Sequence, residues 1–391
     1  MILAKAFQTD ARPRQEARTL VDASYPVFAI AWDRAYEFKS SERFEGVLVR
    51  SFRLTKVVRS SPLGLAIGAI TFQVVAFLMI LRVVMKTRQR VTVHAHDLNT
   101  LGAAYLARIA RLCRYVLYDC HEPSYATYSE VFGRVLGRVA HILEVQLISC
   151  ADVAISVSEP IVRDLRRHIR DVYLIYNCPR LSDIPNVSKD EARSRLGLPD
   201  RSFIVSYVGS AFAIGSRLDI MMRVADLARD SSTSIRFLVV GASSSYQLRT
   251  QVAKHSNPAI TFVGPKSHKD ALTYRIASDL TWAVYDDPTV SVRTRIGAFW
   301  QIFESMACGV PIMVWKGTNM AALINRTDCG VAVDGNDAEG IVRNIDRLSH
   351  NPEMRARLSS NGRSASSSEY NWEKMSSRLL RVYKSLEGRK Q

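Results

Sequence analysis

Short runs of β-branched and aromatic residues alternate with helical stretches along nearly the whole 391-residue chain, and few architectures accept that rhythm. In the first half the runs are Val27–Ala31, Val91–Ala95, Tyr115–Tyr118, Val153–Val157 and Val172–Tyr176. In the second they are Phe203–Val208, Ile235–Val240, Ile260–Val263, Leu280–Tyr285, Pro311–Trp315 and Val331–Val333. Several are continuously apolar rather than alternating, as strands covered on both faces must be. Helical patterns such as Ala103–Leu112, Gly133–Leu147, Leu218–Ala228 and Trp300–Ala307 separate them. Strand–helix repeats of this length predict βαβ units wound into parallel sheets. The chain is too long for one ordinary core. Residues 181–202, rich in proline and polar side chains, read as a linker between residues 1–180 and 203–370, with a last helical segment over 371–391.

Charge narrows the partners. The formal net charge is +16, which favours phosphate, nucleic acid or an anionic lipid surface. Six cysteines without C-x-x-C spacing read as reduced thiols of a cytosolic protein. Asp10, Glu16 and Asp22 interrupt the N-terminal region, which predicts no secretory signal. From Pro62 to Leu81 the chain is uncharged, long enough to span a bilayer. Strand-like runs on both sides argue against spanning, because one sheet cannot pair its backbone from opposite sides of a membrane. Twelve basic residues against Glu45 and Asp97 lie between Arg43 and Arg114. That excess favours a helix docked on an anionic membrane surface over residues 62–90, with a buried core helix as the alternative.

In open parallel sheets, ligands bind beyond the carboxyl ends of the strands. Reading each strand to its end places His94, His96 and Asp97 at one exit, and Asp119, His121 and Glu122 at the next. In the second half Gly209 and Ser210 follow one strand, and Gly241 with three serines follows another. Glycine there lets backbone N–H groups approach a phosphate, although an ordinary tight turn uses glycine equally well. The H-x-H-D spacing is not a metal-site signature.

These segments, taken in order, resemble the family-4 retaining glycosyltransferases. The resemblance runs through TDARPRQEARTL, VFAIAWDR, HAHDLNTLGAAYLAR and YVLYDCHEPSY, then SYVGS, FLVVGAS, FVGP, FESMACGVPIMV and YNWEKMSSRLLRVY. It implies an α/β fold of the GT-B class: two facing Rossmann-like doubly wound domains, with the C-terminal helix crossing back to the first. It implies a hexosyltransferase-like enzyme that moves a sugar, with retention, from a nucleotide diphosphate sugar to an acceptor hydroxyl, without a metal or other cofactor. Glu304, in FESMACGVP and near a helix start, would hold the donor ribose, and His121 would act beside the transferred sugar. Gly209, Ser210, Arg217, Gly241, Arg293, Arg295 and Gln301 complete the donor side. Asp10, Arg12, His94, His96, Asp97 and Glu122 form the acceptor side. Ile296 stands where many relatives carry an acid, and Gln301 where others carry a lysine. After SYVGS relatives carry Arg and Lys for the diphosphate, whereas here only Arg217 is basic; Arg293 and Arg295, in the loop before FESMACGVP, are the candidates to compensate. Together with the basic apolar segment, this predicts a lipid-linked or membrane-proximal glycan acceptor and a peripheral protein of the cytoplasmic membrane face, in glycan or glycolipid synthesis. The alternatives are a nucleotide-sugar epimerase and a non-catalytic partner subunit of the same fold. Nucleic-acid binding is disfavoured, since no recognition motif accompanies the charge.

Overall fold

The computed structural model describes residues 1–53, 62–209, 217–230, 233–241 and 257–389. They divide into two compact units, Met1–Tyr176 with Ser376–Gln391, and Asn177–Met375.

The first unit runs β1 (Ile2–Leu3), α1 (Ala11–Asp22), β2 (Phe28–Trp32), β3 (Ser41–Phe44), β4 (Val47–Phe52), α2 (Pro62–Thr87), β5 (Val91–His96) and α3 (Leu98–Ile109). It continues with β6 (Cys113–Cys120), α4 (Ser124–Phe132), α5 (Arg134–Leu147), β7 (Val153–Ser156), α6 (Glu159–Leu165) and β8 (Val172–Leu174). The sheet order is β3-β4-β2-β1-β5-β6-β7-β8, parallel except for the β3–β4 hairpin. Strands are added to one side from β1 to β4 and to the other from β5 to β8. The winding therefore reverses between β1 and β5, where Ile2 pairs with Ala95. Such a switch point opens a crevice at the strand ends.

The second unit begins with α7 (Lys189–Leu196), β9 (Phe203–Val208), α8 (Leu218–Leu227), β10 (Ile235–Val240), β11 (Ile260–Gly264), α9 (His268–Ile276) and β12 (Leu280–Ala283). It then runs through α10 (Val292–Ile296), α11 (Trp300–Cys308), β13 (Ile312–Trp315), α12 (Asn319–Thr327), β14 (Gly330–Val333), α13 (Ala338–Ser349) and α14 (Pro352–Ser368). Its parallel sheet is ordered β11-β10-β9-β12-β13-β14, with the switch between β9 and β12. Phe237, Trp282 and Met313 fill the core beneath α8 and α13. The last helix, α15 (Trp372–Glu387), contributes its residues from Ser376 onward to the first unit.

Three expectations change. Residues 181–202 are not a free linker but part of the second unit. Ser188 and Glu191 close a reciprocal cap on α7, and Ala192 buries against Leu272, Ile276 and Val310. The polar composition there reflects a helix with a single narrow apolar stripe. Arg293 and Arg295 lie on a helical turn, α10, capped by Ser291, rather than in a loop. Finally, α2 is neither wholly core nor wholly surface. Phe72, Ala76 and Ile80, each four apart, bury against the sheet, and Phe72 stacks on Trp32 at 5.5 Å. Ile70, Val74 and Leu78 face outward. Among the described residues Ile67–Thr87 is long and apolar enough to cross a membrane, yet the strands flanking α2 share one sheet. All six cysteines are buried free thiols.

Candidate functional site

Two polar clusters sit at the two switch points. In the first unit, α1 carries Arg12 to the end of β6, where its Nε donates to Asp119 Oδ2 at 2.9 Å and its Nη2 to Oδ1 at 2.8 Å. A third N–H reaches the Ile175 carbonyl at 2.8 Å. Both side chains are fully buried. Burial works to strip their charges, but each ion holds the other: the guanidinium is pushed above its ordinary value, and the carboxyl well below the usual carboxylate range.

His121 follows β6, and its Nε2–H donates to Asp119 Oδ2 at 2.7 Å. Its backbone N–H donates to Asp97 Oδ1 at 2.9 Å. Burial lowers its pKa, the charges of Asp119 and Asp97 raise it more, and it settles at about 9. His121 is thus an imidazolium at neutral pH. Asp97 reaches it from a backbone at φ 59° and ψ 169°, a region that costs a non-glycine residue ~1–3 kcal/mol. Its N–H is held by the Asp119 carbonyl at 2.9 Å.

His94 and His96 are different. Their rings stack at 4.3 Å, His94 Nδ1 lies 3.0 Å from the Tyr383 hydroxyl of α15, and burial lowers both pKa values. Glu16 completes the cluster, 3.1 Å from Arg12 and 3.6 Å from His94, its pKa raised by burial and by Asp119.

Ligand atoms of Glu16, His94, His96 and Asp119 lie within 4.8 Å of one another, so the group invites a metal reading. The donor set argues against it. The two imidazole rings are stacked with their planes only 15° apart, so no single ion nearby can lie in the plane of both. Arg12 already supplies the positive charge that Asp119 requires. Glu122 stands apart from this cluster, exposed, accepting from Thr127 at 3.1 Å. Asp10 precedes α1 and adds its charge to the field on Arg12.

In the second unit Glu304 lies buried in the second turn of α11, not at the helix start. Its charge is held by side chains rather than by the helix end: His268 Nε2 lies 2.6 Å from Oε1, and Arg275 donates to Oε2 at 3.0 Å. Burial raises the carboxyl, and these two neighbours bring it below its ordinary value. Arg275, also buried, donates further to Ser305 at 2.8 Å and to the Val208 carbonyl at 3.1 Å, tying α9 to the end of β9. Gln301, one turn before Glu304, accepts from the Tyr285 hydroxyl at 2.5 Å. Its Nε2 lies so close to Gly209 that a Cβ there would stand 1.7 Å from it. The structure therefore gathers Gly209, Gln301 and Glu304. Gly241, with φ 147°, ends β10 and donates to the Gly264 carbonyl at 2.9 Å. Arg217 opens α8, pairs with Asp219 at 3.1 Å and lies over the Trp315 ring. Arg295 donates to the Pro288 carbonyl at 3.4 Å, and Arg293 shares α10 with it. Ser210 and the serines after Gly241 lie outside the described residues.

Glu16, Arg275, His268 and Tyr383 escaped the sequence reading. Arg12 and Glu16, four apart on one helix, left a faint signal. Arg275 left none, because its partner lies in a different helix.

Known proteins match along most of the chain. The family described as Glycosyltransferase Family 4 matches residues 15–181, and Glycosyl transferases group 1 matches residues 188–365. A D-inositol 3-phosphate glycosyltransferase of Rhodococcus opacus is 27% identical over 206 residues, 50% of this chain and 44% of that protein. A GDP-mannose-dependent monoacylated alpha-(1-6)-phosphatidylinositol monomannoside mannosyltransferase of Corynebacterium glutamicum is 23% identical over 204 residues, 50% of this chain and 51% of that one. The aligned regions thus span about half the length of these curated relatives. The solved sucrose-phosphate synthase of Thermosynechococcus elongatus superposes with a TM-score of 0.74 at 19% identity, over 98% of both chains. Two Rossmann-like units with these matches place the chain in the family-4 glycosyltransferases.

Proposed function

We propose that the protein transfers a sugar, with retention and without a metal, from a nucleotide diphosphate sugar to a hydroxyl of a lipid-linked or membrane-proximal acceptor at the cytoplasmic membrane face. The observation that carries this reading is Glu304. It is a carboxylate kept ionised inside the second unit, one turn from a glutamine that presses on the glycine ending β9. A carboxylate has about four lone-pair sites, so Glu304 can accept from ribose hydroxyls while His268 and Arg275 hold its orientation. Donation from a neutral hydroxyl to such a group is strong.

In the transfer, the bond from the anomeric carbon to the diphosphate oxygen breaks, and a bond to the acceptor oxygen forms on the same face. The acceptor proton leaves with the diphosphate. The negative charge that develops on the leaving group needs fixed donors. Arg217, Arg293 and Arg295 of the second unit are the candidates for it, and His121 keeps the separate role that the family resemblance gives it. The inositol phosphate and phosphatidylinositol mannoside named for the two relatives support a polyol hydroxyl as acceptor.

The test is a thermal-shift screen of the whole protein against UDP-, GDP-, ADP- and CMP-sugars, followed by product analysis with and without acceptor. A donor at 100 times its Kd adds about 2.7 kcal/mol, a rise of several degrees. Acceptor-dependent product with the donor's anomeric configuration supports the proposal. Rearranged sugar without acceptor identifies an epimerase, and absence of any shift identifies a non-catalytic partner.

A further inference from the structure

The helices on one face of the first unit turn apolar side chains toward solvent. β5, β6, β7 and β8 are added in one direction, so right-handed crossovers put α2, α3 and α5 side by side on one face of the sheet. α2 packs on α3, and α3 on α5. Gln73 of α2 accepts from the Ala103 N–H of α3 at 3.1 Å, and α5 is clamped to α4 at Gly137, where a Cβ would stand 1.8 Å from Ser129 Oγ.

Each helix buries one stripe, so its opposite stripe faces away from the sheet. In α5 the buried stripe is small or engaged: Gly137, Ala140 and Glu144, whose carboxylate accepts from Tyr118 and Ser124. The outward stripe is Val135, 74% exposed, with Val139, Ile142 and Leu143. That inverts the usual polarity of a surface helix. Ile109 after Leu106 on α3, 62% exposed, and Ile70 on α2, 64% exposed, extend the same character. Contiguous apolar surface of this kind marks an interaction site.

Charge selects the occupant. Exposed basic residues edge all three helices: Arg82 and Lys86 on α2, Arg111 after α3, and Arg134 and Arg138 on α5. A second copy of the chain would bring these same cations against themselves across a two-fold axis. An anionic bilayer complements both the apolar stripe and its basic edge. We propose that α2, α3 and α5 form a single docking face for an anionic lipid bilayer, with α5 as an inserting element. This deepens the proposed membrane-proximal acceptor by naming the surface that would bring the protein to it.

The experiment is flotation of the whole protein with phosphatidylcholine vesicles, with and without about 30% phosphatidylglycerol, at low salt and at about 0.5 M salt. The wild type is expected to float with anionic vesicles at least tenfold more than with neutral ones, and partly to persist at high salt. Val135→Ser with Val139→Ser and Ile142→Ser should cut vesicle binding at least tenfold with only a small fall in Tm, because these side chains are about half or more exposed. Arg134→Glu with Arg138→Glu should remove most of the difference between anionic and neutral vesicles. Nucleotide-sugar thermal shifts on the same samples separate the two readings, since the variants should keep the wild-type donor response. A wild type that stays off anionic vesicles at low salt overturns the proposal, as does a triple variant that floats normally. So does a dimer in sedimentation that the triple variant dissociates while vesicles go unbound, which would assign the face to a second copy.

Discussion

Replacing Asp119 with Asn should uncouple His121 from the charge that keeps it protonated. In the native protein His121 titrates at about 9 instead of its ordinary 6.5. At ~1.36 kcal/mol per tenfold, that rise corresponds to about 3 kcal/mol of preference for the imidazolium. Burial opposes the charge, so the two carboxylates supply more than the net figure, and Asp119 is the larger source, at 2.7 Å against 3.8 Å for Asp97. In Asp119→Asn the ring should titrate at least tenfold more easily, followed by its NMR resonances against pH.

The sign of the linkage is fixed. A raised pKa stabilises the fold fully below pH 6.5, and that contribution is lost as pH climbs to about 9. Turnover that needs the imidazolium should therefore decline near pH 9 in the wild type and nearer neutrality in the variant. Asp119→Asn also takes the bidentate carboxylate from buried Arg12, leaving it Glu16 at 3.1 Å and the Ile175 carbonyl, at a cost of up to ~3–5 kcal/mol. Asp97→Asn spares Arg12 and should move His121 the same way by less. A ring that still titrates near 9 in Asp119→Asn would refute the assignment of its charge to Asp119.

His121→Ala should lower turnover about 10²-fold while nucleotide affinity stays within a few-fold, measured by calorimetry beside steady-state kinetics. Glu304→Gln should weaken donor binding by ~1.5–3 kcal/mol, and unchanged affinity would remove Glu304 from the site. The same variant should also lower Tm, because buried Arg275 loses its carboxylate partner; the change is isosteric in shape but not in charge. On α2, Phe72→Ser should cost ~3–5 kcal/mol in denaturant melts and Leu78→Ser almost nothing, a contrast that disappears if the helix is uniformly core or uniformly surface. Gly209→Ala should push Gln301 off Tyr285 and weaken donor binding with little change in Tm.

The sheets were legible because their strands are covered on both faces, which writes them as unbroken apolar runs such as Phe203–Val208. β1 left no such trace: two residues, Ile2 and Leu3, suffice to occupy the centre of the first sheet because β2 and β5 flank them. Residues 189–196 were illegible for the opposite reason, since one buried Ala192 and a capping box make a helix that composition reads as loop. For the site, strand exits exposed His94, His96, Asp97, Asp119 and His121 in sequence. What they do was not written there. Whether His121 is neutral or cationic depends on the Asp119 carboxylate, which is itself held by an arginine 107 residues from it in the chain, brought there only by the winding of the sheet. Glu304 shows the same limit: its motif was visible, but Arg275 and His268, which set its charge state, come from another helix.

The division of the first unit has a consequence for how the protein is made. Residues 1–176 are synthesised first, but the Tyr383 hydroxyl beside His94 belongs to a helix that follows the whole of residues 177–375. At ~5–20 residues per second, that intervening stretch occupies a ribosome for roughly 10–40 s. During that interval the second unit can complete its core, while the first must wait with the surface that α15 will cover still bare. Arg389, whose carbonyl accepts from Tyr115 and whose side chain reaches Asp171, arrives later still. The unit whose larger segment is made before the second unit is thus the one that finishes folding after it, with the pairing of Tyr383 and His94 among its late events.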